Sequence, residues 1–245
     1  MNTAEKKQSV VKKQLSNVEV WLGLETDRVR KALESASGYF DSNDNLTINT
    51  LEGVYGQESS FGVLMGIRGS SQAAGHFHLR PAAAKRYGLI VSKKNDQRFN
   101  IDFASSAATR YLKDLDTFFS KNTPLLKDST TIAVNNSMER QKFVLGAYNA
   151  GEGRIASAQA LAKNAGKDPR VWAEVKKFLE EAGASEDTAN EARQYVEKVL
   201  SYEAEFASKS KVNKNVKQKQ VRKGKYRCTE GHWRMIDKRP VFICD

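Results

Sequence analysis

With 245 residues, 40% of them hydrophobic and 28% charged, the chain has material for one full core plus a smaller appendage, and it reads as globular and rich in helix. No apolar run approaches the roughly 18 residues that a bilayer span needs, and the start, "MNTAEKKQSVVKKQ", has basic residues but no apolar stretch after them, so neither a membrane helix nor a signal peptide is visible. A formal net charge of +11 points instead to a polyanionic partner: nucleic acid, anionic lipid or a cell-wall polymer.

The first helix is predicted from Ser16, where Ser16 and Glu19 have the spacing of a capping box, to about Gly38. "DSNDNLTINT" is a turn-rich break in which the next helix begins. There Leu51, Val54 and Tyr55 recur at helical intervals, and Glu58 falls on the same face, pointed toward the apolar side. A carboxyl held in such a place is pushed toward the pKa a general acid needs; the plainer alternative is a helix-end Glu that reaches solvent. A Gly- and Ser-containing loop follows, then a segment redirected by Pro81 and a helix ending near Gly88. "VSKKNDQRFNID" reads as a polar loop, and "FASSAATRYLKDLDTFFSKN" as a buried helix.

"KFVLGAYNAGEGRI" joins an apolar helix to a Gly-rich turn at Gly151 and Gly153. A further helix is expected from Pro169 to Gly183, and a last one, capped by Ser185, with Tyr195, Val196, Val199 and Leu200 on its inner face. Beyond Phe206 the stretch Ser208 to Arg227 contains nine Lys or Arg and no acid, which reads as a solvated linker. Alternating aromatic and aliphatic residues after it predict a small two- or three-strand unit. Cys228 and Cys244 both lie there; they allow a local bridge in an oxidising compartment, or two reduced thiols. The expected organisation is an N-terminal helical segment (1–40), a main domain (41–207), a basic linker (208–225) and a C-terminal module (226–245).

Taken together and in order, "QESSFG", "GSSQAAGHFHLRPAAAKRYGL", "NIDFASSAATRYLKDL", "AYNAGEGRI" and "EARQYVEKVLSY" resemble the soluble lytic transglycosylase family, over roughly Leu46 to Tyr202. The resemblance implies a mainly α, goose-type-lysozyme-like catalytic domain, here followed by the small β-containing module. It also implies cleavage of the β-1,4 bond between N-acetylmuramic acid and N-acetylglucosamine in peptidoglycan, with 1,6-anhydro product ends, by one catalytic Glu and no cofactor. By resemblance that residue is Glu58; Ser59 helps to orient the substrate's N-acetyl region, Tyr148 and Asn149 form a wall near the acid, and Tyr195 lines the cleft. On periodicity alone the two tyrosines read as core aromatics and Ser59 as a helix-end hydroxyl.

One segment departs from the family. Where Gly-Leu-Met-Gln-Leu-Met-Pro is usual, this chain has "GHFHLRP", so His78 replaces the glutamine and His76 and Arg80 replace hydrophobic residues. His78 can still donate one hydrogen bond to a sugar, but it brings a group that titrates near neutrality.

Other readings make their own demands. Zinc held by His76, His78, Cys228, His232 and Cys244 fits no standard ligand spacing, so no metal is expected. Asp41, Asn43, Asn45, Thr47 and Glu52 have calcium-loop offsets, but Leu46 stands where glycine is needed, and a polar loop capping the helix of Glu58 reads better. A hydrolase of lysozyme type needs a second acid, for which Asp96 and Asp102 are candidates, and a binding or structural protein would retain Glu58 without turnover. The basic run lacks regular aromatic interleaving, which argues against nucleic acid and for tethering to an anionic wall or to an envelope, phage or secretion-machine partner. The implied place of action is the bacterial envelope or periplasm, reached by processing, by a phage particle or by a secretion machine.

Overall fold

The computed structural model describes the backbone of residues 14–125, 129–223, 231–236 and 239–244, and side chains as far as residue 210. The described chain is mainly helical, as the sequence predicts. It divides into two units, Met1–Phe206 and Ala207–Asp245.

The long first helix expected after Ser16 is two helices. Ser16 does cap α1 (Asn17–Leu24) through a capping box with Glu19, but Glu25 is extended and Thr26 caps a second helix, α2 (Asp27–Ser37). The Thr26 hydroxyl accepts from Val29 N–H, and a local cap of this kind outweighs the good helix propensity of the residues around it. Thr47 then caps α3 (Ile48–Ser59), whose Leu51, Val54 and Tyr55 are fully buried. Pro81 opens the short α4 (Pro81–Arg86).

The central helix is α5 (Ile101–Ser120), capped by Asn100. Its Ala104, Ala107, Ala108, Leu112, Leu115 and Phe119 are wholly buried, and α2 packs along it. α5 also packs on α6 (Ser137–Ala150), which in turn packs on α7 (Glu152–Asn164). Gly151, at φ +93°, ends one of these helices and begins the next. The helix expected from Pro169 to Gly183 is reduced to α8 (Trp172–Val175), a 3-10 turn at Lys176–Phe178, and turns. Trp172 seats against Gly146, where an added Cβ would lie 2.5 Å from the indole.

Ser185 begins α9 (Glu186–Lys223), accepting from Thr188 N–H, and Tyr195, Val196 and Val199 face inward as expected. The basic run read as a linker is helical up to Lys223. In the second unit β1 (Gly231–Ile236) and β2 (Arg239–Cys244) form an antiparallel pair, with Gly231 opposite Cys244 and Ile236 opposite Arg239. Cys228 and the Cys244 side chain, and with them the choice between a bridge and two reduced thiols, lie outside the described residues.

Two glycines of α3 set its place. A Cβ at Gly53 would lie 3.0 Å from the Val199 carbonyl of α9, and one at Gly56 would lie 2.3 Å from the Trp21 ring of α1. Trp21 therefore approaches the α3 backbone more closely than a side chain at Gly56 permits, and Val199 leaves a side chain at Gly53 only a tight fit. Trp21 also stacks on Phe61 and Phe206, and Tyr55 meets Phe61 and Phe77, so α3 stands on an aromatic floor. Among the described residues no helix is long and apolar enough to cross a membrane.

Candidate active site

Glu58 occupies the last turn of α3, and the chain reverses directly after it. Ser60, Phe61 and Gly62 follow in left-handed conformations, with φ of 49°, 57° and 85°. Two consecutive non-glycine residues in that region cost local energy and persist only where the surroundings hold them. Phe61 is held by the aromatic floor. Gly62 has no alternative residue, since a Cβ there would lie 2.8 Å from the Tyr55 hydroxyl.

The carboxyl of Glu58 is mostly withdrawn from water, its side chain 14% exposed. Tyr195 of α9 donates its hydroxyl to Oε1 at 2.7 Å. On the other oxygen, Oε2 faces His78 Nδ1 at 3.5 Å. Burial raises the Glu58 pKa to about 7; the Tyr195 hydrogen bond opposes the rise and the charge of Glu191 adds to it. Near neutrality the group is thus available both as a proton donor and, once ionised, as an acceptor.

His78 has φ 43°, and its Nε2 lies 2.8 Å from the Leu64 carbonyl. A carbonyl can only accept, so Nε2 carries a proton and donates it there, which leaves Nδ1 as the ring nitrogen facing Glu58. The segment leading to it is fastened residue by residue. Ser59 Oγ donates to the His76 carbonyl at 2.7 Å, and Tyr148 donates to the Phe77 carbonyl at 2.9 Å. His76 pairs with the Tyr55 hydroxyl at 2.9 Å, and burial pulls its pKa down to about 4, so it is a neutral structural group.

Beneath this wall lies an anchor that the sequence did not disclose. Arg98 is 1% exposed and donates to the carbonyls of Ser70, Gln72 and Leu79, and to both oxygens of Asp96. The Asp96 carboxylate also accepts from Gly69 N–H, and its hydrogen bonds from Arg98 and Gly69 hold its pKa below the usual value against the opposing effect of burial. Gly75 passes so close that a Cβ would lie 2.1 Å from the Arg98 carbonyl. One buried guanidinium thus shapes the whole of 69–79.

A cleft of about 600 Å³ opens beside Glu58, lined among others by His78, Arg80, Tyr111, Tyr148, Asn149 and Glu191. Tyr195 stands behind Glu58 and stacks at 6.4 Å on Tyr148. Asn149 Nδ2 donates to Glu191 Oε1 at 3.1 Å. The structure therefore brings Glu58, His78, Tyr148, Asn149 and Tyr195 to one place. Ser59 adjoins them but is fully buried, with its hydroxyl committed to the His76 carbonyl and to Gly62 N–H.

The carboxylates considered for a second acid are engaged elsewhere: Asp96 with Arg98, and Asp102 with Arg28 at 2.9 Å. Glu191, one turn before Tyr195 on the same face of α9, is the second carboxylate of the cleft lining, and that spacing is the sequence signal for it. The carboxylates with calcium-loop offsets are likewise occupied: Lys113 pairs with Asp41, and also with the nearby Asp44, and Glu52, within α3, pairs with Arg30.

Comparison with known proteins identifies the domain that carries Glu58. The model of the transglycosylase SLT domain matches residues 38–171, more than half of the chain. Among similar proteins, the membrane-bound lytic murein transglycosylase F of Desulfosudis oleivorans is 36% identical over 78 residues, covering 28% of this chain and 17% of that protein. The protein of the same name from Marinobacter nauticus is 49% identical over 41 residues, covering 17% of this chain and 8% of that protein. The matched stretches thus span less than a fifth of either relative. From residue 38 to residue 171, across the acid helix, the fastened loop and the Tyr148 wall, this chain belongs to the transglycosylase SLT domain family.

Proposed function

We propose that the protein is a peptidoglycan lytic transglycosylase that cleaves the bond between N-acetylmuramic acid and N-acetylglucosamine, with Glu58 as its single acid and base. The observation that carries this reading is a Glu58 carboxyl poised near pH 7 at the side of an open cleft, with Tyr195 fixed on one oxygen. The names of the similar proteins, lytic murein transglycosylases, support the substrate class.

In this mechanism a glycan strand lies in the cleft with its scissile oxygen near Glu58 Oε2, the oxygen not bonded to Tyr195. Glu58 donates its proton to the glycosidic oxygen, and the C1–O bond breaks. The substrate's own N-acetyl oxygen takes up the positive charge developing at C1, so no second carboxylate is required. The ionised Glu58, now stabilised by the Tyr195 hydroxyl, accepts the proton of the C6 hydroxyl as O6 bonds to C1. A 1,6-anhydro ring results, no water is consumed, and Glu58 regains its starting proton. Tyr148 and Asn149 shape the sugar-facing wall, His78 faces the acid across from Tyr195, and Ser59 supports this geometry from beneath. The place of action is the bacterial envelope.

Mass spectrometry of purified sacculi treated with the wild type and with Glu58→Gln tests the reading. Anhydromuramyl ends produced by the wild type and absent with the variant are the expected result. Reducing ends would make the enzyme a hydrolase and turn attention to Glu191 as the group activating water. Binding with no product from the wild type would leave a wall-binding protein.

A further inference from the structure

The cleft holds a cation that the reaction just described does not use. Arg80 lines it, is exposed, and caps α4 by its backbone without a side-chain hydrogen bond. Among the described residues its guanidinium has no hydrogen-bond or ion-pair partner. It is nevertheless mounted on rigid parts. The preceding residue, Leu79, is 3% exposed and gives its carbonyl to the buried Arg98, while the following Pro81 is the first residue of a helix.

Arg154 lines the same cleft and among the described residues has no carboxylate partner; its Nη1 donates to the Ala150 carbonyl at 2.9 Å. Among the described residues neither carboxylate of the lining pairs with Arg80 or Arg154: Glu58 is held by the Tyr195 hydroxyl and Glu191 by Asn149. A planar, always-charged fork fixed at the wall of a sugar cleft is suited to a carboxylate, which it can hold through two parallel hydrogen bonds.

A glycan of alternating N-acetylglucosamine and N-acetylmuramic acid offers a carboxylate at one place only, the lactyl arm on C3 of the muramic acid. The acid there is either free or, when a stem peptide is attached, carried further out on that peptide. We propose that Arg80 is a specificity residue that reads a carboxylate on the lactyl arm, so that the cleft selects muramic-acid glycans over uncharged glycans of the same shape. This rests on the glycan-cleaving reading above and narrows its substrate class. A preference for the free lactyl acid would place the enzyme after a reaction that hydrolyses the lactyl–peptide amide.

The test uses Glu58→Gln, which binds without cleaving, and four ligands of equal length: strands with free lactyl acid, the same strands as lactyl carboxamides, stem-peptide strands, and chito-oligosaccharide. Titration calorimetry at low salt is expected to show a preference of about tenfold or more for the free-acid or stem-peptide strands over the carboxamides. Adding Arg80→Met should collapse that preference, and Arg80→Lys should keep part of it, with unchanged melting temperatures showing that both variants fold. Whichever of the two acidic ligands shows the Arg80-dependent gain identifies the source of the carboxylate. Equal affinity for acid and carboxamide, or a preference that survives Arg80→Met, overturns the inference. If sacculi are still cleaved by the wild type in that case, only this inference falls. If no glycan is bound and none is cleaved, the glycan-cleaving reading falls and takes this one with it.

Discussion

Replacing Glu58 by glutamine should make the protein more stable, and only at higher pH. In the fold the Glu58 pKa stands at about 7 against an ordinary value of 4.5, chiefly because burial disfavours the charged form. The folded state thus holds a proton that the unfolded chain releases between these values, so stability falls as pH rises from about 4.5 to about 7. At 1.36 kcal/mol for each pH unit, the loss at pH 8 and above amounts to about 3 kcal/mol. The glutamine amide has nearly the same shape, can still accept the Tyr195 hydroxyl, and never ionises. Urea denaturation at pH 5, 6, 7 and 8 should give similar stabilities at pH 5 and a gap that widens to about 2–3 kcal/mol in favour of the variant at pH 8. In a chain of this size, that is several degrees in melting temperature. A gap that stays constant across the series would refute the argument, since a difference in packing alone has no reason to follow Glu58 ionisation.

Tyr195→Phe removes a hydroxyl that stabilises the ionised acid, so the alkaline limb of kcat/KM on glycan strands should move upward from about pH 7 by roughly one unit, with a lower kcat; an unmoved limb would count against the contact. Arg98→Met strands the buried Asp96 and three carbonyls, and should cost about 3–5 kcal/mol in urea denaturation, with partial recovery on adding Asp96→Asn. A loss below 1 kcal/mol would mean that Arg98 does not anchor the loop. Gly75→Ala meets both a φ of 82° and the Arg98 carbonyl, and should be destabilised by several kcal/mol, whereas Gly88→Ala, at φ 84° but with open space around it, should lose only about 1 kcal/mol. Thermal melts of the pair would show whether close approach or backbone conformation dominates.

What the sequence disclosed follows the range of the interactions. The caps at Ser16 and Ser185 involve partners three residues away, and the buried face of α3, with Glu58 at its end, follows from helical period. Tyr195 shows why a core aromatic and a site aromatic need not be alternatives: it is 3% exposed and also bonded to Glu58. The division at Thr26 was missed because one hydroxyl decides it within a stretch of good helix formers. Arg98 was missed for the opposite reason. Its acceptors at 70, 72 and 79 lie across a loop of no regular period, so a residue in a polar run looked solvated while being among the most buried side chains of the fold. The extension of α9 through the basic run shows that a low apolar content argues against a packed face but not against helical backbone.

The two glycines of α3 also divide the labour of the cleft. With the Val199 backbone on one side and the Trp21 ring on the other, the helix that bears Glu58 has no room to slide or tilt. His78 sits in the stretch 69–79 that Arg98 fastens, so any widening that admits a strand or frees a product falls to 63–67, whose Val63, Leu64 and Ile67 stand in solvent. Turnover would then be paced by one side of the cleft while the chemistry is kept by the other. The Leu64 carbonyl that holds His78 belongs to the moving side, so each opening would also loosen the imidazole that faces the acid.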